Sequence, residues 1–164
     1  MTLMSSLFRH KAWANAQLFG CFATQERSVP ETERHLAIRI LNHAYVVDRI
    51  FAAHLQGIAH GYAKPNTPET PSLEQLSSSV RETDRWYLDY VAQVSADALA
   101  EAIAFTFTDG SRGRMSREEM LAHVITHGSY HRGQVSRLVP SVANGAPSDL
   151  LTGYLHQAEP ARRG

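Results

Sequence analysis

The sequence is short of most features that would assign it quickly. It has one cysteine, Cys21, in 164 residues, so it forms no internal disulfide and offers no thiolate cluster to a metal. It has no excess charge: sixteen lysines and arginines balance sixteen aspartates and glutamates. That balance speaks against nucleic-acid and anionic-membrane partners, both of which need a basic surface. No apolar run is long enough for a membrane span, and MTLMSSLFRHKAWANAQ lacks the charged start and apolar middle of a signal peptide. A cytoplasmic protein is expected. Repeats and low-complexity segments are absent too, and the length suits one domain able to bury a sizeable core. That domain is expected over residues 1–159, with a frayed tail at 160–164.

What the chain has in surplus is histidine, nine in all. Their placement follows from the helices. Ser116 to Pro140 reads as one helix, with Ser116 as N-cap, Glu119 completing a capping box and Pro140 as the stop. Met120, Val124, His127, His131, Gln134 and Leu138 recur at steps of four and three, so they share one face. His127 and His131 are therefore one turn apart, about 6 Å along the axis, within reach of a single ion. His123 could share a metal with His127 only by excluding His131.

The first helix is expected from Leu3 to about Gln25, with Cys21 as a small core residue. Ser28-Val29-Pro30-Glu31 supplies a cap, an early proline and a capping acid for the second, which runs to about Gln56 and ends at Gly57. Its stripe is Leu36, Ile40, His43, Val47, Ile50, His54, which makes His43 the natural third ligand. The proline-rich stretch from Gly57 to Pro71 is a long connection that can cross the bundle. Ser72 and Gln75 cap a third helix with a Leu73, Leu76, Val80, Thr83, Tyr87, Tyr90, Val94 seam. AIAFTFTDGSRGRM predicts a short hairpin or irregular flap with its turn at Asp109-Gly110. After Pro140 a loop leads to a short helix from Leu150 to His156. The fold class is all-α: a four-helix bundle with one long crossover, an architecture that builds metal sites from inward side chains.

The other histidines read differently. His10, His35, His60 and His156 are ordinary surface or core residues, while His54 and His123 lie near core stripes and are candidates to line a pocket. His54 could alternatively close the metal's coordination sphere. Asp48, one turn beyond His43, is a candidate to support a ligand from behind.

His127-Gly-Ser-Tyr-His131-Arg132-Gly133-Gln134 resembles the HxxxHRGQ signature of the DinB/YfiT-like family of bacterial metal-binding bundles. Trp13-Ala14-Asn15 with Leu18, Leu41-Asn42-His43 with Asp48, and Pro147 to Leu155 are similar to further pieces of its pattern, so the likeness spans almost the whole chain. The resemblance implies an up-down-down-up bundle, a single divalent metal on His43, His127 and His131, and a homodimer. It also implies, for some members, transfer of a low-molecular-weight thiol to an electrophile or isomerisation of a thiol adduct.

Three imidazoles with no thiolate or carboxylate suit a catalytic site better than a closed structural one, with zinc or nickel the first expectation and iron the next. A small-molecule substrate follows. His123, Tyr130 and Asp48 are the candidates for supporting or proton-transfer roles, and no general base stands out. The rival readings are a metal-binding stress protein without turnover and a helical interaction domain whose histidines are core residues.

Overall fold

The computed structural model describes residues 2–163. Seven helices and one hairpin follow in order: α1 (Leu3–Gln25), α2 (Glu31–Gln56), α3 (Leu73–Gln93), α4 (Ala96–Ala100), β1 (Ala102–Thr106), β2 (Arg112–Ser116), α5 (Arg117–Leu138), α6 (Pro140–Gly145) and α7 (Leu151–Ala158). The four long helices form the bundle. α1 packs mainly on α3 and α2 mainly on α5, with further contacts of α2 on α3 and α1 on α5.

Side-chain pairings give the directions. Phe8 stacks on Tyr87 and Asn15 bonds to Asp84, so α1 and α3 run opposite ways. His43 meets His131 while Phe51 meets His123, so α2 and α5 are antiparallel. The order is up, down, down, up. α2 and α3 are parallel because the connection from Gly57 to Ser72 runs the length of the bundle between them.

The helix ends show why these residues stop and start where they do. Ser72 with Gln75 and Ser116 with Glu119 form complete capping boxes, each satisfying donors that the first turn leaves free. Gly57 closes α2 with φ of 70°, a left-handed conformation. One expectation fails, and another holds with an addition. Ser28 does not cap α2: its hydroxyl donates back to the Gln25 carbonyl inside a 3-10 turn, and Pro30 takes the cap position without a side-chain bond. Pro140 stops α5 but also opens α6, because a proline in the first turn lacks only an N–H that the helix does not use. Pro160–Arg163, expected as part of a frayed tail, forms a 3-10 turn, with Arg162 bonded to Glu159.

Two apolar clusters fill the bundle. One joins Leu18, Phe22, Leu41, Leu76 and Val135; the other joins Phe8, Phe51, Tyr87, Leu121 and Val124 beneath the hairpin. Between them lies a layer of buried charge. Lys11, only 1% exposed, sits 2.7 Å from both Asp48 and Asp84. Asn15 donates to Asp84 at 2.7 Å and accepts from Arg132 at 3.0 Å. Arg132 donates onward to Asp149 at 2.8 Å, and His10 Nε2 lies 3.1 Å from the same carboxylate. All four long helices and the segment before α7 are tied at this one level.

The expected face of α2 meets the core in its second half and drifts off it in its first. Leu36 is 47% exposed and Ile40 only partly covered, while Ala37, Ile38 and Leu41 turn inward. The first half of the predicted stripe is thus the rim of the apolar face, while Val47 and Ile50 lie in the core, and His43 sits where core meets solvent.

Gly128 is where α5 comes closest to the buried lysine. A Cβ there would stand 3.2 Å from Arg132 Nη1 and 3.4 Å from Lys11 Cε, both held by ion pairs. Gly133, by contrast, has nothing within 4 Å of where its Cβ would stand and faces solvent. Gly133→Ala is therefore expected to stabilise the protein by roughly 0.5–1 kcal/mol through helix propensity. Gly128→Ala should lose that gain and destabilise by about 1–2 kcal/mol, because the neighbours cannot give way. Urea denaturation of the two variants beside the wild type reads both signs.

Candidate metal centre

His43, His127 and His131 present ring nitrogens within 4.8 Å of one another, and they form the one such His, Cys, Asp or Glu group among the described residues. Two helices supply them. α2 gives His43 and the middle of α5 gives the pair, with Nε2 of His127 and Nε2 of His131 facing at 3.0 Å. The His43 ring stands 5.1 Å from that of His127 and 4.7 Å from that of His131, centroid to centroid.

The groups behind the rings orient them. His131 Nδ1 bonds to Gln134 Oε1 at 2.7 Å, and His43 Nδ1 bonds to the Pro65 carbonyl. Each acceptor is a carbonyl-type oxygen, so Nδ1 must carry the proton and Nε2 is left as a bare donor for a cation. Gln134 follows from helix geometry, since it stands three residues after His131. Pro65 does not, for it comes from the crossover loop. Asn42 fixes it there by donating to Asn66 Oδ1 and to Thr67 Oγ1, while Arg39 donates to the Thr67 carbonyl at 2.7 Å and accepts from Asn66 through its own carbonyl.

His127 is the least satisfied of the three. Its Nδ1 is buried without a hydrogen-bond partner among the described groups, and its Nε2 faces only another imidazole. Burial, then the neighbouring His131 and His43 rings, push its pKa down to about 3. Burial also lowers His131, partly offset by the Gln134 bond. Neutral imidazoles are the form that binds metal, and buried nitrogens without partners leave room for one. The donor set fits a divalent cation of the zinc, nickel or iron kind.

The remaining candidates separate. His123 stacks on His127 at 5.2 Å and lies tilted against Phe51 at 4.6 Å, so it lies beside the cluster rather than in it. Burial lowers its pKa, and does the same for His54 with help from His60. His54 faces Phe105 at 5.0 Å and is not a fourth ligand. Tyr130 is 64% exposed with its ring edge-on to His131 at 5.2 Å. Asp48 does not support a histidine. It is buried against Lys11, and its backbone carbonyl accepts from Tyr87 Oη at 2.6 Å. Burial raises its pKa to about 6 despite the lysine.

Sequence reasoning missed Lys11, Asp84 and Asp149 altogether and gave His10 no role. The available signal was Lys11 and Asp84 falling at helical spacing from Phe8, Val80 and Tyr87, where a solvated residue is not expected. Asp149 is held low: burial pushes its pKa up, but His10 and Arg132 outweigh that and hold it at about 2, against an ordinary 3.8. A carboxyl depressed by folding stabilises above its unfolded value and loses that contribution as pH falls toward 2. Asp149→Asn should therefore be less stable than wild type at pH 6, with the difference shrinking on acidification from about pH 4 to pH 2. Thermal melts across that range test it.

A four-helix bundle carrying one three-histidine cluster, two of its rings braced from behind, defines a class of helical proteins with a group able to hold a divalent metal. Comparison with known proteins gives the family. The model of the DinB family matches residues 2–160, and the chain belongs to that family. Protein DinB of Bacillus subtilis (strain 168) is 22% identical over 158 residues, spanning 87% of this chain and 88% of the relative. No solved structure is significantly similar to the chain. No helix among the described residues is long and apolar enough to cross a membrane.

Proposed function

We propose that the protein is a metal-dependent enzyme of the thiol S-transferase or thiol-adduct isomerase type. The observation that carries it is the convergence of His43, His127 and His131 with no fourth protein ligand among the described residues. A centre that protein groups leave open has positions for substrate, whereas a structural site closes them. Zinc or nickel suits the all-imidazole set best, with iron next. Such an ion, when bound, lowers the pKa of a coordinated thiol.

The chain's own residues do the remaining work. Gln134 and the Pro65 carbonyl hold two rings in the tautomer that exposes Nε2, and the buried ionic layer fixes the level of α5 against α2. In the transferase reaction the thiol sulfur forms a bond to the electrophilic carbon, the leaving group departs with its electron pair, and the thiol proton passes to solvent. Half-buried His123, beside the cluster, is placed to take up that proton in transit.

Incubating metal-loaded protein with cysteine, glutathione and a sugar-linked bacterial thiol, each with an alkyl halide, tests the reading. Thiol adduct formed faster than in buffer, and lost in His127→Ala, supports it. Adduct at the buffer rate throughout would favour a metal-binding stress protein without turnover. The same reading makes the molecule a cytoplasmic homodimer, for which the exposed Leu36 and Tyr130 along the outer α2/α5 groove are the support. Light scattering should then give about twice the 18.2 kDa chain mass.

A further inference from the structure

A second feature lies against the histidine cluster without belonging to it. The hairpin folds over α2 and α5 and bounds a partly open chamber of about 340 Å³ between them. Its walls are Val47, Ile50 and Phe51 from α2 and Phe105, Phe107 and Met115 from the hairpin. Pairing of Phe105 with Gly113 sets the roof, and Gly113 has no side chain because a Cβ would strike the Phe105 ring. The polar groups in the lining include Thr108 and three imidazoles, His54, His123 and His127, and no lysine, arginine, aspartate or glutamate takes part. His127 is shared with the metal cluster, so whatever fills the chamber has one end at the centre.

We propose that this chamber seats an uncharged, largely apolar small molecule, aromatic or branched aliphatic, with its reactive end directed past His123 toward His127. The volume suits a ligand of up to roughly two fused rings, and pockets of this size bind by burying apolar surface around a few polar groups. A formal charge in such a molecule would enter a space with no counter-charge and lose its hydration without compensation. The assignment selects the second substrate of the proposed transfer reaction. It rests on that reading only for which end reacts. Binding itself requires the walls, not the ion.

The test therefore uses protein stripped of metal by chelation and two probes of the same shape, 2-naphthol and the anion 2-naphthoate, titrated at pH 7. The neutral probe should bind at least about tenfold more tightly. Phe107→Asp places a carboxylate on a partly exposed wall, where the fold tolerates it, and should weaken 2-naphthol at least about fivefold with the melting temperature nearly unchanged. Leu36→Ser, on the outer α2/α5 groove, should leave binding as it is. Equal affinity for the two probes, or weakening by the Leu36 variant and not by the Phe107 variant, would overturn the assignment. Failure of the enzyme reading looks different, since 2-naphthol would still bind while no thiol adduct forms.

Discussion

Alanine at His127 is expected to abolish divalent-metal binding, where His123→Ala should leave it near one equivalent per chain. His127 is the hinge of the cluster: its Nε2 stands 3.0 Å from that of His131, and its ring packs against His43 on the opposite helix. Removing it leaves two donors on different helices, too few to hold an ion against water. A ligand bound only by the folded state at a hundred times its Kd adds about 2.7 kcal/mol. For a chain this size that corresponds to a melting temperature lower by about 5–10 °C in the variant when metal is present. With chelator the gap should nearly close. Elemental analysis of untagged protein and paired melts with and without metal read both effects, and undiminished metal content in the variant would remove His127 from the ligand set.

Lys11→Met should cost more stability than any ligand change. The substitution keeps much of the aliphatic volume but leaves Asp48 and Asp84, both buried, facing each other with no cation at 2.7 Å from either. Breaking a buried ion pair by removing one partner typically costs about 3–5 kcal/mol, and here one lysine serves two acids. The melting temperature should fall by roughly 6–20 °C. Restoring neutrality is the control. Lys11→Met combined with Asp48→Asn and Asp84→Asn should recover a substantial part of the loss, since the penalty belongs to uncompensated charge rather than to missing packing. A triple variant no more stable than the single one would show that the lysine stem, not its charge, matters.

Sequence features that act locally were legible, and those that depend on a distant partner were not. Ser72 and Ser116 each carry their capping partner three residues on, so both helix starts could be read, as could the Asp109-Gly110 turn. The histidines were legible for a related reason. His127 and His131 are one turn apart on a single helix, and His43 lies on a stripe of its own. Ser28 misled because a serine hydroxyl can either accept from a backbone N–H ahead of it, as a cap does, or donate to a carbonyl behind it, and it donates to Gln25. The first half of the α2 stripe misled because three- and four-residue spacing marks a face without saying whether its centre or its rim meets the core. Nothing near Lys11 announces two aspartates 37 and 73 residues away along the chain. Likewise Asn42 looked like a weak companion of His43, when it anchors the loop whose Pro65 carbonyl orients that ring.

The four consecutive residues His131, Arg132, Gly133 and Gln134 leave the α5 axis about 100° apart, so each meets different surroundings. One ring joins the cluster, the guanidinium enters the buried ionic layer, the glycine meets water, and the amide returns to brace the first ring. The donor that grips a cation and the cation that anchors the helix are thereby neighbours on one backbone. It follows that bundle assembly, not ion uptake, sets the positions of the imidazoles. An ion that binds there would then load and leave by exchange at a ready-made cradle, without the chain having to unfold between occupancies.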